Sequence, residues 1–253
     1  MMRIKLIIVL LLLGSVTFGQ NKKEKIPTYF GFQVKPIFPG FFIGTTSFDS
    51  NKDGFYTTFS QQVGSSFGGV VRVGLTKLIA IETGMNLTQR IYKIESSIPD
   101  SNIFVTSRLR YQTFDIPISA LFYIPITKQF YMNASIGAAL SYSPSLAGVK
   151  IEPKGYNEIT QIALGKKLVG EAIANFGLEY RTPKSGFFYL GIAARVPFAP
   201  IFYLRSQYRH QGKTILTDPI NQGRVDGSFI ALEIKYFFPY VKIKGSPIKT
   251  PIE

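Results

Sequence analysis

From Phe130 to Tyr142 the chain reads F-Y-M-N-A-S-I-G-A-A-L-S-Y. Phe130, Met132, Ala134, Ile136, Ala138, Leu140 and Tyr142 share one face, and Tyr131, Asn133, Ser135, Gly137, Ala139 and Ser141 share the other. A period of two marks a β-strand, because successive side chains leave it on opposite sides. The run is long for a globular sheet, where strands of about 5–6 residues are usual, and suits a strand tilted across a bilayer.

The same pattern recurs and predicts eight strands. They cover Tyr29–Ile37, Ser66–Thr76, Leu78–Tyr92, a strand ending in Phe114–Ile124, Phe130–Tyr142, Leu168–Arg181, Phe187–Phe198 and Ser228–Phe238. Three connections are tight: Thr76–Lys77, Pro125–Lys128 and Thr182–Gly186. Four are longer: Pro39–Gly64, Lys93–Ile103, Ser143–Lys167 and Leu204–Gly227. An even strand number with alternating short and long connections predicts an all-β fold, an eight-stranded antiparallel up-and-down transmembrane β-barrel with short periplasmic turns and long extracellular loops. Both ends of the chain then lie on the periplasmic side.

A soluble barrel also alternates, so the faces have to be assigned. The polar faces here are crowded with small residues, among them Gly31, Gly68, Gly74, Gly84, Ser119, Ser135, Gly177 and Gly191. Small residues suit the cramped interior of an eight-stranded barrel and have no purpose on a solvated exterior. The apolar faces carry almost no charge over their middles, as a lipid-facing surface requires.

Position 1 onward fixes the compartment. Arg3 and Lys5 precede a wholly apolar Leu6–Leu13, and Gly14–Gly19 turn small and polar. That order predicts a signal peptide, residues 1–19, cut before Gln20, followed by a periplasmic segment 20–28, a barrel 29–238 and a periplasmic tail 239–253. The apolar run is too short to span a bilayer as a helix. Composition agrees: Gly 23, Tyr 14 and Phe 22 are strand and turn residues, and Cys 0 excludes both a disulfide framework and a lipidated cysteine. The net charge of +14 is scattered rather than clustered, which favours an anionic membrane surface over nucleic acid as the partner.

The segments G-G-V-V-R-V-G-L-T-K-L-I-A-I-E-T-G-M-N-L, then Y-Q-T-F-D-I-P-I-S-A-L-F-Y-I, then F-Y-M-N-A-S-I-G-A-A-L-S-Y together resemble the PorT-like outer-membrane β-barrel domain of Bacteroidota. The signal ending in Phe18-Gly19-Gln20 is also similar to export signals of that group. The resemblance covers most of the mature chain. It implies the fold and an outer-membrane location, and leaves the activity open. In such barrels the chain usually ends at an aromatic strand residue, whereas here Val241–Glu253 follow Phe238. Recognition by the barrel-assembly machinery during insertion would then use an internal signal around Leu232–Phe238.

Chemistry-bearing residues are few. Lys35, Arg72, Glu82, Arg90, Asp115, Glu171, Glu179, Arg181, Arg195, Glu233 and Lys235 fall on lumen-facing positions and mix both signs. They read as a structural ion-pair network, because charges shut in a narrow barrel need partners. Arg72 and Arg195 are each expected beside one or more of the five acids. The segment Asp49–Gly54 matches the first half of a calcium loop, but Ser60 stands where the closing Glu belongs, so it reads as a loop tip. His210, with Ser206 and Asp218 in the same stretch, lacks a spaced catalytic motif, and Pro117 inside a strand predicts a bulge. No catalytic, metal or cofactor residue is assigned. The sequence predicts a non-catalytic scaffold, surface-binding protein or partner in an envelope complex, in contact with outer-membrane lipids including lipopolysaccharide. A narrow conduit for small or apolar solutes is the alternative, and a lipid-modifying enzyme comes third.

Overall fold

The computed structural model describes residues 26–40, 42–144, 147–153, 157–182, 185–217 and 223–239. The expected signal peptide and most of the C-terminal tail lie outside them, as do Lys154, Lys184 and Asp218. The fold is all-β and antiparallel: β1 Tyr29–Pro39, β2 Ser47–Lys52, β3 Phe55–Gly74, β4 Ile79–Ile98, β5 Ile103–Pro125, β6 Phe130–Tyr142, β7 Gly148–Ile151, β8 Asn157–Leu164, β9 Leu168–Arg181, β10 Phe187–Pro197, β11 Phe202–His210, β12 Lys213–Leu216, β13 Arg224–Val225 and β14 Phe229–Phe237.

Hydrogen-bonded neighbours run β1–β14–β10–β9–β6–β5–β4–β3, and β3 pairs in turn with β1. The register around this ring is staggered. Starting at Leu178 on β9, the aligned residues are Leu190, Ile234, Val34, Phe67, Leu87, Phe114 and Tyr142, and the path returns to β9 at Leu168. A ten-residue stagger over eight strands, at about 3.3 Å per residue and 4.8 Å between strands, tilts the strands by roughly 40°.

The strand count corrects one expectation. The described residues form fourteen strands, and β2, β7, β8, β11, β12 and β13 occupy stretches expected as long loops. The expected loop Lys93–Ile103 is reduced to a 3₁₀ turn at Pro99–Ser101, because β4 continues to Ile98 and β5 begins at Ile103. Three of the ring strands, β3, β4 and β5, are 20, 20 and 23 residues long. Their far halves, with β2, face a second sheet of order β12-β11-β8-β7, to which β13 adds against β11.

Two storeys of opposite patterning result. In the lower storey the apolar residues point out: Met85 is 60% exposed, Ile118 60%, Ile136 66% and Ile192 58%. In the upper storey they point in. Phe59, Tyr92, Ile94, Leu109, Tyr111, Phe202 and Leu204 form one buried cluster, while Lys93, Glu95, Arg108 and Arg110 lie outside it. On β5 the exchange falls between Phe114 and Tyr111, and the backbone runs through without a break. On β3 a register shift between Gln62 and Ser65 inserts one residue and moves the inward set from odd to even positions.

Pro117 makes no bulge. The β4–β5 register is the same on both sides of it, with only Gly84 and Met85 dropping out of the ladder opposite the missing N–H. The Asp49–Gly54 motif is β2 plus the tip of a two-residue hairpin: Lys52 faces Phe55, and Asp53 and Gly54 take φ of 49° and 79°. Those signs are what a type I′ turn requires, so Gly54 is held there by the turn.

The three tight turns share one rim and one device. Thr76 Oγ1 accepts from the Leu78 and Ile79 N–H groups, Thr127 Oγ1 from Gln129 and Phe130, and Thr182 Oγ1 from Ser185. The described chain ends lie at this rim as well, since Phe238 N–H donates to Phe30 O and Ile26 N–H to Thr76 O.

Candidate functional site

The lower storey encloses two linked charge clusters. Strand alternation aims Arg72 of β3, Glu82 of β4, Glu179 of β9, Glu233 and Lys235 of β14 and Lys35 of β1 into one interior, and all six are buried. Arg72 donates to Glu82 through Nε at 2.9 Å and through its terminal nitrogen at 2.6 Å, to the Tyr123 hydroxyl at 2.9 Å and to Glu179. Lys235 bridges Glu82 at 2.5 Å and Glu233 at 3.0 Å, and Lys35 meets Glu233 at 2.5 Å. Arg181, half-buried at the turn rim, closes the set on Glu179 at 2.6 Å and lies over the Tyr131 ring at 4.1 Å.

Nearer the upper storey, Arg195 of β10 pairs with Asp115 of β5 at 2.8 Å and with Glu171 of β9 at 3.4 Å. Arg90 of β4 pairs with Glu171 at 2.5 Å. Thr88 and Thr113 donate to the two Asp115 oxygens at 2.5 and 2.8 Å. Between the clusters a cavity of about 10 Å³ is lined by Gln33, Glu82, Ser119, Asn175 and Glu233 among others. That is room for about one water molecule.

Of the eleven charged residues picked out from the sequence, ten are buried and balance, Lys35, Arg72, Arg90, Arg195 and Lys235 against Glu82, Asp115, Glu171, Glu179 and Glu233, while the eleventh, Arg181, is half-buried at the turn rim. The chain's net +14 is therefore carried elsewhere. Balance matters because a lone buried charge costs several kcal/mol. The neutral partners Tyr123, Thr88 and Thr113 went unnoticed in the sequence. They share parity with the charges on their strands, which was the available signal.

Above this network the lumen is capped by the aromatic cluster. Phe59, Tyr92 and Phe202 pack with ring centroids 4.8 to 6.2 Å apart. Gln161 of β8 ties the two sheets together, accepting from Ser107 at 2.5 Å and donating to Ser96 at 2.9 Å. In this upper cluster, burial pushes the Tyr92 hydroxyl pKa up.

His210 sits at the end of β11, stacked on Tyr208, with Nδ1 2.7 Å from Asn157 Oδ1. Ser206 is buried two turns of the pleat away, where its N–H donates to Thr217. The described residues contain no group of three or more His, Cys, Asp or Glu placed to hold a metal ion.

No family model and no curated protein matches the chain. The PorT-like resemblance therefore stays one of strand patterning. Among solved structures, the outer membrane protein OprG from Pseudomonas aeruginosa aligns with 87% of this chain and 100% of its own at 9% identity, with a TM-score of 0.48.

Proposed function

We propose that the chain is an integral outer-membrane β-barrel of eight ring strands, plugged rather than open, which acts as a non-catalytic scaffold or surface-binding protein. The observation that carries this is the inverted lower storey: apolar side chains outside, a paired and nearly neutral charge network inside. In water that arrangement would expose a continuous apolar belt, which soluble monomers avoid. In a bilayer it is the required one.

Dimensions support the reading. Outward apolar residues on β5 run from Phe114 to Ile124. Ten steps of about 3.3 Å at a tilt near 40° give a band roughly 25 Å tall, the height of an outer-membrane barrel's apolar zone. Rings gather at both borders. Phe32, Tyr236, Phe238 and Phe188 cluster near the turn rim, and Phe38, Phe114, Tyr142 and Phe198 are exposed towards the other border. The tight-turn rim faces the periplasm and the two-sheet storey faces outward.

Topology and closure are tested together. Cysteines introduced at Lys52 and Lys213 should react with a membrane-impermeant maleimide on intact cells, and cysteines at Lys77 and Lys128 should react only after lysis. In planar bilayers the purified protein should give no steady conductance. Reversed labelling would turn the barrel over, and large stable single-channel steps would establish the conduit in place of the plug.

A further inference from the structure

The upper storey is not closed like the lower one. From Ile103 to Thr113, β5 pairs with β4 alone, because its other neighbour β6 ends at Tyr142 opposite Phe114. Strand β7 pairs with β8 alone. Among the described residues no backbone hydrogen bond joins β5 to β7. Two open strand edges thus face one another across a seam, each with a row of backbone N–H and C=O groups that lack a strand partner.

The seam holds a cleft of about 400 Å³, lined by Arg108, Arg110, Gln112 and the stretch Ala147–Val149. Arg108 and Arg110 project outward, and no carboxylate lies within ion-pair distance of either among the described residues. Nearby acids are already occupied. Lys150 on β7 pairs with Glu152 at 2.9 Å and with Glu158 at 3.4 Å, and Lys93 pairs with Glu95 at 2.8 Å. The Glu152 hydrogen bond raises the Lys150 pKa.

Height decides what could reach the cleft. Phe114 is the last outward ring of the apolar band on β5, and Gln112, Arg110 and Arg108 follow at successive outward positions. At about 3.3 Å per residue and a tilt near 40°, Gln112 stands roughly 5 Å and Arg110 roughly 10 Å above that ring. The polar layer of a bilayer extends about 5–7 Å beyond the hydrocarbon on each side. A phosphate at the upper edge of that layer meets the Arg110 guanidinium, whose planar fork suits paired phosphate oxygens, the open N–H groups of two strand edges and, one outward step further, Arg108 at roughly 15 Å above the ring.

We propose that the β5–β7 seam is a binding site for a phosphate carried on an outer-leaflet glycolipid. The proposal rests on the membrane-barrel reading and names the lipid group that the barrel holds. Its occupant is lipid-borne because the lower end of the cleft, at Gln112, opens at the headgroup level directly above the lipid-facing band, where that phosphate is concentrated.

The test uses the full barrel in zwitterionic detergent. Three probes are titrated: a bis-phosphorylated acylated glucosamine disaccharide, the same lipid after dephosphorylation, and inorganic phosphate. Binding of the phosphorylated lipid should slow amide exchange in Ile103–Thr113 and Gly148–Ile151, and should weaken at least tenfold in Arg108→Gln/Arg110→Gln. The control Arg209→Gln/Lys213→Gln, on the β11–β12 hairpin, should bind as the parent does. Equal affinity for the dephosphorylated lipid, parental binding by the double variant, or displacement by millimolar inorganic phosphate would each overturn the site. Every variant is also run unheated on a gel. A parent protein that is compact yet does not bind the phosphorylated lipid overturns the seam alone, whereas failure of all forms to insert into vesicles overturns the barrel.

Discussion

Arg72→Met is the most direct probe of how the lumen is held together. The guanidinium is fully buried and lies 4.2 Å from the Phe237 ring centre. Methionine keeps most of the volume and the ring contact but removes every donor to Glu82, Glu179 and Tyr123. Breaking one partner out of a buried pair costs about 3–5 kcal/mol, because the other charge is left uncompensated. Here both acids retain a cation, Glu82 through Lys235 at 2.5 Å and Glu179 through Arg181 at 2.6 Å, which places the loss at the lower end, about 3 kcal/mol. In Arg72→Met/Glu82→Gln the stranded carboxylate is gone and Lys235 still has Glu233 at 3.0 Å. The double variant should therefore cost about 2 kcal/mol less than the sum of the singles, within the range of coupled neighbours. With Trp 0, unfolding in urea from phospholipid vesicles is best followed by circular dichroism and by the unheated gel shift. Midpoints convert to free energies if the slope is unchanged. A loss under about 1 kcal/mol for Arg72→Met, or a double variant as costly as the summed singles, would refute the claim that pairing holds this lumen.

The other predictions address faces and packing. Ile192→Arg should destabilise the inserted barrel by about 2–4 kcal/mol, since an outward arginine there lies near the bilayer midplane, whereas Gln62→Arg, outward in the upper storey, should change the urea midpoint little. Comparable effects from the two would mean the storeys are misassigned. Gly137→Ala should already slow or weaken assembly, because a Cβ there would come within 2.1 Å of Ile118 O and 2.6 Å of Ser119 Cα on the neighbouring strand; unchanged folding yield in vesicles would count against the register of β5 and β6.

How much of this was legible in the sequence depends on where each strand keeps its apolar side. Strands β6 and β9 were readable from Phe130 to Tyr142 and from Leu168 to Arg181, because each lies within one storey and ends at a turn or a change of sheet. Strand β5 was readable only from Phe114 onward. Its outward residues change there from Phe114, Ile116 and Ile118 to Gln112, Arg110 and Arg108, while Tyr111 and Leu109 turn inward. Alternation persists through the exchange, but a reader who follows the apolar set as a single face sees the strand stop. On β3 the extra residue at the Gln62–Ser65 shift had the same effect by another route. The lumen charges were legible because charge on a small-residue face is conspicuous, and so was the need of Arg72 and Arg195 for acid partners; which acid each meets was not, because register is a long-range property that no local pattern carries.

On the membrane-barrel reading proposed above, the exchange that hid the upper halves of the strands also marks the water boundary. A continuous apolar outward face suits lipid, whereas the upper storey's outward face is mostly polar with single apolar residues such as Phe104, as a wetted wall allows. Phe114 against Gln112 on β5 is therefore a depth marker as much as a packing detail. It places the charged plug of Arg90, Asp115, Glu171 and Arg195 just below the outer surface and the aromatic cap of Tyr92, Tyr111 and Phe202 just above it. The lumen is thus blocked twice, by paired charge in the lower storey and by packed rings in the upper. On the plugged-barrel reading proposed above, neither layer leaves an interior surface for a solute, and recognition falls to the outer wall and the two-sheet storey, where Arg108 and Arg110 have no carboxylate partner among the described residues.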